Sequence, residues 1–268
     1  MDRLQVAKDF VEFLTVSGSG ECHNYQCYVQ LGDTVKLVLK VSWLGVTITN
    51  GYLDSKFRSK QVAKNCEYGK VTSWSEALVR LEEGNARYKS GKYEHPNQSP
   101  ECREMWTGKQ EPWCIVLSCA DSRVTPEMVF DTGIGELFII RVAGNIANAS
   151  TIASIEYAAA NLPSAKGIVV LGHESCGAVG AAVSIGESGG AAPSPALQHL
   201  VAHIAPALVK KPTGKDEMAG YVRANARLAA EDLCARSKII QDSGLPVVPA
   251  YYRLKSGDVE FLGGSQVA

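Results

Sequence analysis

Two short apolar runs each end in a residue that binds metals. Ile115-Val116-Leu117 leads through Ser118 into Cys119, and Gly167-Ile168-Val169-Val170-Leu171 leads through Gly172 into His173, with Cys176 three residues on. Runs this short and this continuously apolar read as strands buried on both faces, the pattern of a parallel sheet between helices. Parallel strands set their carboxyl ends side by side, so donors far apart in sequence converge on one crevice. Two thiols and an imidazole are the right number and type of ligand for one zinc ion with a fourth position left for water.

The flanking sequence supplies the rest of such a fold. Ser73-x-x-Glu76 is a capping box that opens a helix with Ala77, Leu78, Leu81 and Tyr88 on its apolar stripe and Gly91 near its end. A polar loop over 93–112 precedes a strand at 113–118, and a second strand covers 137–142. Ser150 caps a helix that runs to Leu162 and stops at Pro163. After the strand at 167–171 come a helix at 177–185, a Gly/Ala/Ser/Pro loop, and a helix begun by Ser194-Pro195. One long helix over 216–243 is stopped by Gly244 and Pro246. A strand at 246–252 and a short return strand at 258–262 finish the chain. The expected fold is α/β: a central, mostly parallel sheet of four strands plus a short antiparallel edge strand, helices on both faces, and an N-terminal helical arm.

Residues 1–70 read differently. Val35, Leu37, Leu39 and Val41 alternate as in a strand, but no sheet for it is apparent. The segment is expected to be a disordered or loosely attached extension, with 71–268 as the catalytic domain. Cys22, His23 and Cys27 could in principle ligate a metal, but no second half-site follows. Cys102, Cys114 and Cys234 read as reduced, packed thiols, which points to a reducing compartment. The start has no continuous apolar core and carries Asp2, Asp9 and Glu12, unlike a signal or transit peptide. Cytoplasm is therefore expected, with the mitochondrion as the alternative. A formal net charge of −1 gives no global attraction for nucleic acid or an acidic membrane.

Chemistry is concentrated around the three donors. Asp121, two residues after Cys119, could occupy a fourth metal position and close the site, whereas Arg123 could take the same carboxylate in a bidentate pair and leave the metal open to water. The set Cys119-Ala120-Asp121-Ser122-Arg123 with His173-Glu174-Ser175-Cys176-Gly177 resembles the β-class carbonic anhydrases. The resemblance extends through Gly135-Glu136-Leu137-Phe138-Ile139-Ile140-Arg141-Val142-Ala143-Gly144-Asn145, Ser154-Ile155-Glu156-Tyr157-Ala158 and Leu81-x-x-Gly84-Asn85-x-Arg87-Tyr88, and covers residues 73–263.

That resemblance implies reversible hydration of carbon dioxide to bicarbonate and a proton by a zinc-bound hydroxide. It implies Cys119, His173 and Cys176 as ligands of one zinc ion per chain, with Asp121 as gate and orienter, or conditional fourth ligand, and Arg123 as its holder. It implies Phe138, Ala143 and Gly177 beside the substrate, the Gly177 N–H facing developing negative charge at a helix start. In this reading Asp121 binds zinc at low pH and swings to Arg123 as pH rises. A homodimer or higher homo-oligomer is implied as well, with no nucleic acid or membrane partner.

Other chemistries fit less well. A serine hydrolase elbow centred on Ser175 would need glycine where His173 stands. A thiol–disulfide role for Cys119 and Cys176, a non-catalytic zinc-stapled protein, and a CS2 or COS hydrolase on the same fold are the remaining alternatives. His199 and His203 share a helix face and could bind metal, though a solvated or packed face also accounts for them.

Overall fold

The computed structural model describes residues 70–263 except 211, 214 and 215, together with three strands nearer the amino terminus. The chain divides into two units, Met1–Gln61 and Val62–Ala268. In the first, β1 (Tyr25–Leu31), β2 (Val35–Ser42) and β3 (Gly45–Asn50) form an antiparallel sheet in chain order. Tyr25 lies opposite Val41, and Leu37 opposite Asn50. The strand expected from alternation at 35–41 thus has a partner on each side, although the sequence offered no sheet for it. Cys22 and His23 fall outside the described residues, as does the side chain of Cys27.

The second unit is built on a five-stranded sheet of order β5-β4-β6-β7-β8, comprising β4 (Cys114–Ser118), β5 (Leu137–Arg141), β6 (Ile168–His173), β7 (Val247–Tyr252) and β8 (Val259–Phe261). The first four are mutually parallel and β8 returns antiparallel to β7. Central strands β4, β6 and β7 are buried at every position, which is why their sequences are unbroken apolar runs. From β4 the chain moves to one side, into β5, and from β6 it moves to the other, into β7. The β4/β6 boundary is therefore the place where an open α/β sheet forms its crevice.

Alternate residues of the strands face two cores. Ile115, Leu117, Ile168 and Val170 pack against α4 (Ala149–Asn161), α7 (Glu217–Arg236) and α8 (Lys238–Ser243) through Ile155, Ala158, Ala226, Leu233 and Ile240. Val116, Val169 and Leu171 pack on the other face against Ala77 and Leu81 of α1 (Trp74–Ser90) and against Val129 and Phe130. A third cluster lies beyond the carboxyl ends of the strands. There α5 (Gly177–Ser188) and α6 (Pro195–Ile204) gather around Cys119 and Cys176.

Several boundaries differ from expectation. Asn148, not Ser150, caps α4, its side chain accepting from the Thr151 N–H, because asparagine two residues earlier satisfies the same orphan donor. The single helix expected over 216–243 breaks at Ser237, whose hydroxyl accepts from the Ile240 N–H and starts α8. The apolar stripe continues across that break, so periodicity alone could not find it. The loop at 93–112 contains α2 (Pro100–Met105), and α3 (Pro126–Val129) follows the Cys119 segment. Cys102, expected as a reduced thiol, is disulfide-bonded; it lies in α2, outside the sheet. Cys114 and Cys234 are free as expected. Among the described residues no helix is long and apolar enough to cross a membrane.

Candidate metal centre

The register of the sheet brings the donors together. Ser118, the last residue of β4, pairs with Leu171, so Cys119 emerges beside Gly172 and His173 at the end of β6. Close approach of α7 requires Gly172: a Cβ there would lie 3.1 Å from the Val222 side chain and 3.3 Å from that of Ala226. Cys176 is the N-cap residue of α5. Ser175 before it has φ of 53°, a left-handed conformation unusual for serine, which turns the chain sharply between His173 and the helix.

Within this crevice the ligand atoms of Cys119, His173 and Cys176 all lie within 4.8 Å of one another, and the three residues are buried. The two Sγ atoms are 4.0 Å apart. His173 is fully buried, and its Nδ1 lies 2.9 Å from the Glu174 carbonyl, an acceptor that places the ring proton on Nδ1. Its Nε2 is buried without a hydrogen-bond partner. A buried lone pair left unmatched is costly unless something coordinates it. An orphaned imidazole nitrogen beside two sulfur donors therefore fits a metal ion of borderline softness.

Electrostatics distinguishes the two thiols. The hydrogen bond with Cys176 holds Cys119 well below the ordinary thiol range despite burial, and the nearby His173 and Gly144 N–H act in the same direction. The same hydrogen bond, with burial, pushes Cys176 up. A thiolate at Cys119 is the ligating form.

The Cys119 loop is held from several directions. Gly144, at φ 68° in the turn after β5, donates its N–H to Cys119 Sγ at 3.3 Å, and its carbonyl accepts from the buried Asn225 side chain at 2.8 Å. Arg141 donates from Nε to the Cys119 carbonyl at 3.1 Å and from Nη2 to the Asp121 carbonyl at 2.7 Å. Arg123 takes both carboxylate oxygens of Asp121, Nε to Oδ1 at 2.9 Å and Nη2 to Oδ2 at 2.7 Å, and its backbone N–H also reaches Oδ1. The side-chain hydrogen bond from Arg123 keeps the Asp121 carboxyl well below the usual carboxylate range. Asp121 Oδ2 stays 3.9 Å from His173 Nε2. Hence the carboxylate borders the donor cluster while bound to arginine.

The remaining residues expected at the site lie at different depths. Ala143 opens the turn that carries Gly144. Gly177 is exposed at the first position of α5, with open space where a side chain would be. Phe138 is farther back on β5, opposite Ile115, with its ring 6.3 Å from that of Tyr157. Arg141 and Asn225 were not anticipated as supports. Arg141 lies within a recognisable motif, but no spacing in the sequence signals either residue's bond to a backbone carbonyl.

Known proteins resemble this chain in sequence and in fold. The sequence model of a family described as carbonic anhydrase matches residues 114–259. Carbonic anhydrase 2 of Mycobacterium tuberculosis (strain H37Rv) is 35% identical over 194 residues, spanning 70% of this chain and 90% of that protein. The carbonic anhydrase of Mycolicibacterium smegmatis is 36% identical over 196 residues, spanning 71% and 92%. Among solved structures, the β-carbonic anhydrase CcaA superposes with a TM-score of 0.54 at 24% identity, covering 70% of this chain and 92% of its own. A structure described as one of two tetrameric β-carbonic anhydrases from Sordaria macrospora gives 0.55 at 21% identity, covering 71% and 98%. At those identities the structural likeness shows the fold.

Proposed function

The chain belongs to the carbonic anhydrase family, and from that membership we propose that it catalyses the reversible hydration of carbon dioxide to bicarbonate and a proton. Cys119, His173 and Cys176 would hold one zinc ion. The observation that carries this reading is the buried, partnerless Nε2 of His173 within 4.8 Å of both cysteine sulfurs. When bound, the ion supplies a water acidified to a pKa of about 7, and so a nucleophile at neutral pH.

The chain's own groups then orient the reaction. Asp121 is kept ionised by Arg123, so it can only accept a hydrogen bond, and it aims the nucleophile's lone pair away from itself. Arg123 keeps that carboxylate off the metal position. Gly177 leaves room for a small substrate, and its backbone N–H, at the start of α5, would stabilise developing negative charge, while the Ala178 and Val179 N–H groups serve Cys176. Ala143 forms the apolar side of the crevice in this reading, while Phe138 of this chain, opposite Ile115, stands back from it. Carbon dioxide is neutral and small, so it needs little further binding machinery.

The open edge of the sheet supports a homo-oligomer. β5 is an edge strand with Leu137, Phe138, Ile139 and Ile140 all half-buried, and Tyr157 beside Phe138 is exposed. Such an edge invites pairing with another chain, here a second copy. A cytoplasmic placement is supported by the free thiols of Cys114 and Cys234, while the disulfide at Cys102 argues against it.

Stopped-flow carbon dioxide hydration by zinc-loaded protein tests the activity. A rate abolished by chelator and restored by zinc is the expected result. No hydration at any pH between about 6.5 and 9, with zinc bound, would overturn it.

A further inference from the structure

Helix α6 carries two histidines that the proposed reaction does not use. His199 and His203 are one turn apart and share a face, with ring centroids 4.4 Å apart and planes at 61°. His203 Nδ1 lies 2.9 Å from the His199 carbonyl. That acceptor fixes the ring proton on Nδ1 and leaves the Nε2 lone pair free to bind, as a backbone carbonyl does behind many metal-ligating histidines. His199 is exposed, and the buried residues of this helix, Val201 and Ile204, lie on its opposite side. His203 is in the last turn, where the partial negative charge of the helix end favours a cation.

We propose that His199 and His203 form a second metal site, a two-imidazole chelate on the surface of α6 for a borderline divalent cation such as Ni2+, Cu2+ or Zn2+. Imidazole pairs suit this class of ion, and water completes the coordination shell because the protein provides only two ligands. The ion is therefore held more weakly than one at the Cys-His-Cys cluster and exchanges freely. Its position matters because the inner face of α6 backs the metal loop. The Ile204 side chain comes within 2.9 Å of where a Cβ on Gly144 would stand, and Gly144 holds Cys119. An occupied chelate clamps two successive turns of that backing helix.

Calorimetric titration with Ni2+ of the full chain carrying one zinc per chain, loosely held zinc first removed by gel filtration, with zinc content measured before and after, tests the assignment. One equivalent of Ni2+ is expected to bind while the zinc stays. That equivalent is lost in His199→Gln and in His203→Gln, both of which keep the zinc content and melting temperature of the parent. Nickel binding that persists in both variants would overturn the assignment, as would the absence of binding to the parent. Nickel that only displaces zinc would also overturn it, since the ion would then sit at Cys119, His173 and Cys176. Zinc content reports on that first site separately, so failure at α6 leaves the catalytic proposal untouched.

Discussion

Arg123 grips Asp121 by both carboxylate oxygens, at 2.9 and 2.7 Å, beside a histidine nitrogen that has no partner of its own. In the proposed reaction that guanidinium would decide whether the carboxylate serves the nucleophile or competes for the metal. Replacing Arg123 with alanine frees Asp121 to move the few ångströms to the cluster. Stopped-flow hydration at pH 7 should fall by about 10²-fold or more, the scale of losing a positioned proton-handling group. Zinc content should be unchanged, which separates this effect from loss of the metal.

The pH profile follows from the same pair. Because Arg123 depresses the Asp121 pKa, the carboxylate is ionised throughout neutral pH and its own protonation cannot gate activity there. In the proposed reaction the change would come from a metal-bound water, whose pKa in favourable sites is about 7. In this reading Asp121 would be released from Arg123 to the donor cluster as pH drops through that value and would close the site. The hydration rate should rise steeply from pH 6.5 to about 9. A flat profile would retain the enzyme and discard the gate.

Ligand substitutions should act on metal content first. His173→Ala removes the one buried nitrogen aimed at the cluster, and Cys176→Ser replaces a soft donor with a hard one. Elemental analysis should find the zinc content of both variants far below one per chain, with hydration lost in proportion.

Gly144 offers a test of the supporting loop. Alanine at φ 68° costs about 1–2 kcal/mol, and its methyl group would meet the Ile204 side chain at 2.9 Å. Gly144→Ala should lower the melting temperature and also accelerate zinc release to a chelator, since the N–H held on Cys119 shifts with the backbone.

Asp131 anchors the helical arm. Its buried carboxylate accepts from Arg87 Nε at 2.6 Å and from the Glu94 and His95 N–H groups. Burial opposes ionisation, but these bonds outweigh it and lower the pKa. A carboxyl depressed in the folded state contributes stability that is full above its unfolded pKa of about 3.9 and is lost as pH falls through the folded value. Asp131→Asn should cost roughly 2–3 kcal/mol at pH 7. In denaturant melts that difference should shrink below about pH 4.

The meeting of Cys119, His173 and Cys176 was legible because each donor group follows an apolar strand, and buried parallel strands leave few alternatives for where their ends go. Strand β8 was equally readable from the short span between Tyr252 and Val259. The break at Ser237 was not, because Leu233 and Ile240 keep helical spacing across it and only the hydroxyl's bond to the Ile240 N–H marks it. Arg141 and Asn225 were unreadable as supports for a similar reason. Each binds a backbone carbonyl at least 20 residues away, and carbonyls carry no sequence identity.

The tether on His173 has one more effect. With its Nδ1 tied to the Glu174 carbonyl and its Nε2 aimed at two sulfurs, the ring would spend both nitrogens on anchoring and metal binding once the site is loaded. Each turnover of the proposed reaction would liberate a proton, and its export through solvent and dissolved buffer would make the rate at low buffer concentration a measure of how open the crevice is to water.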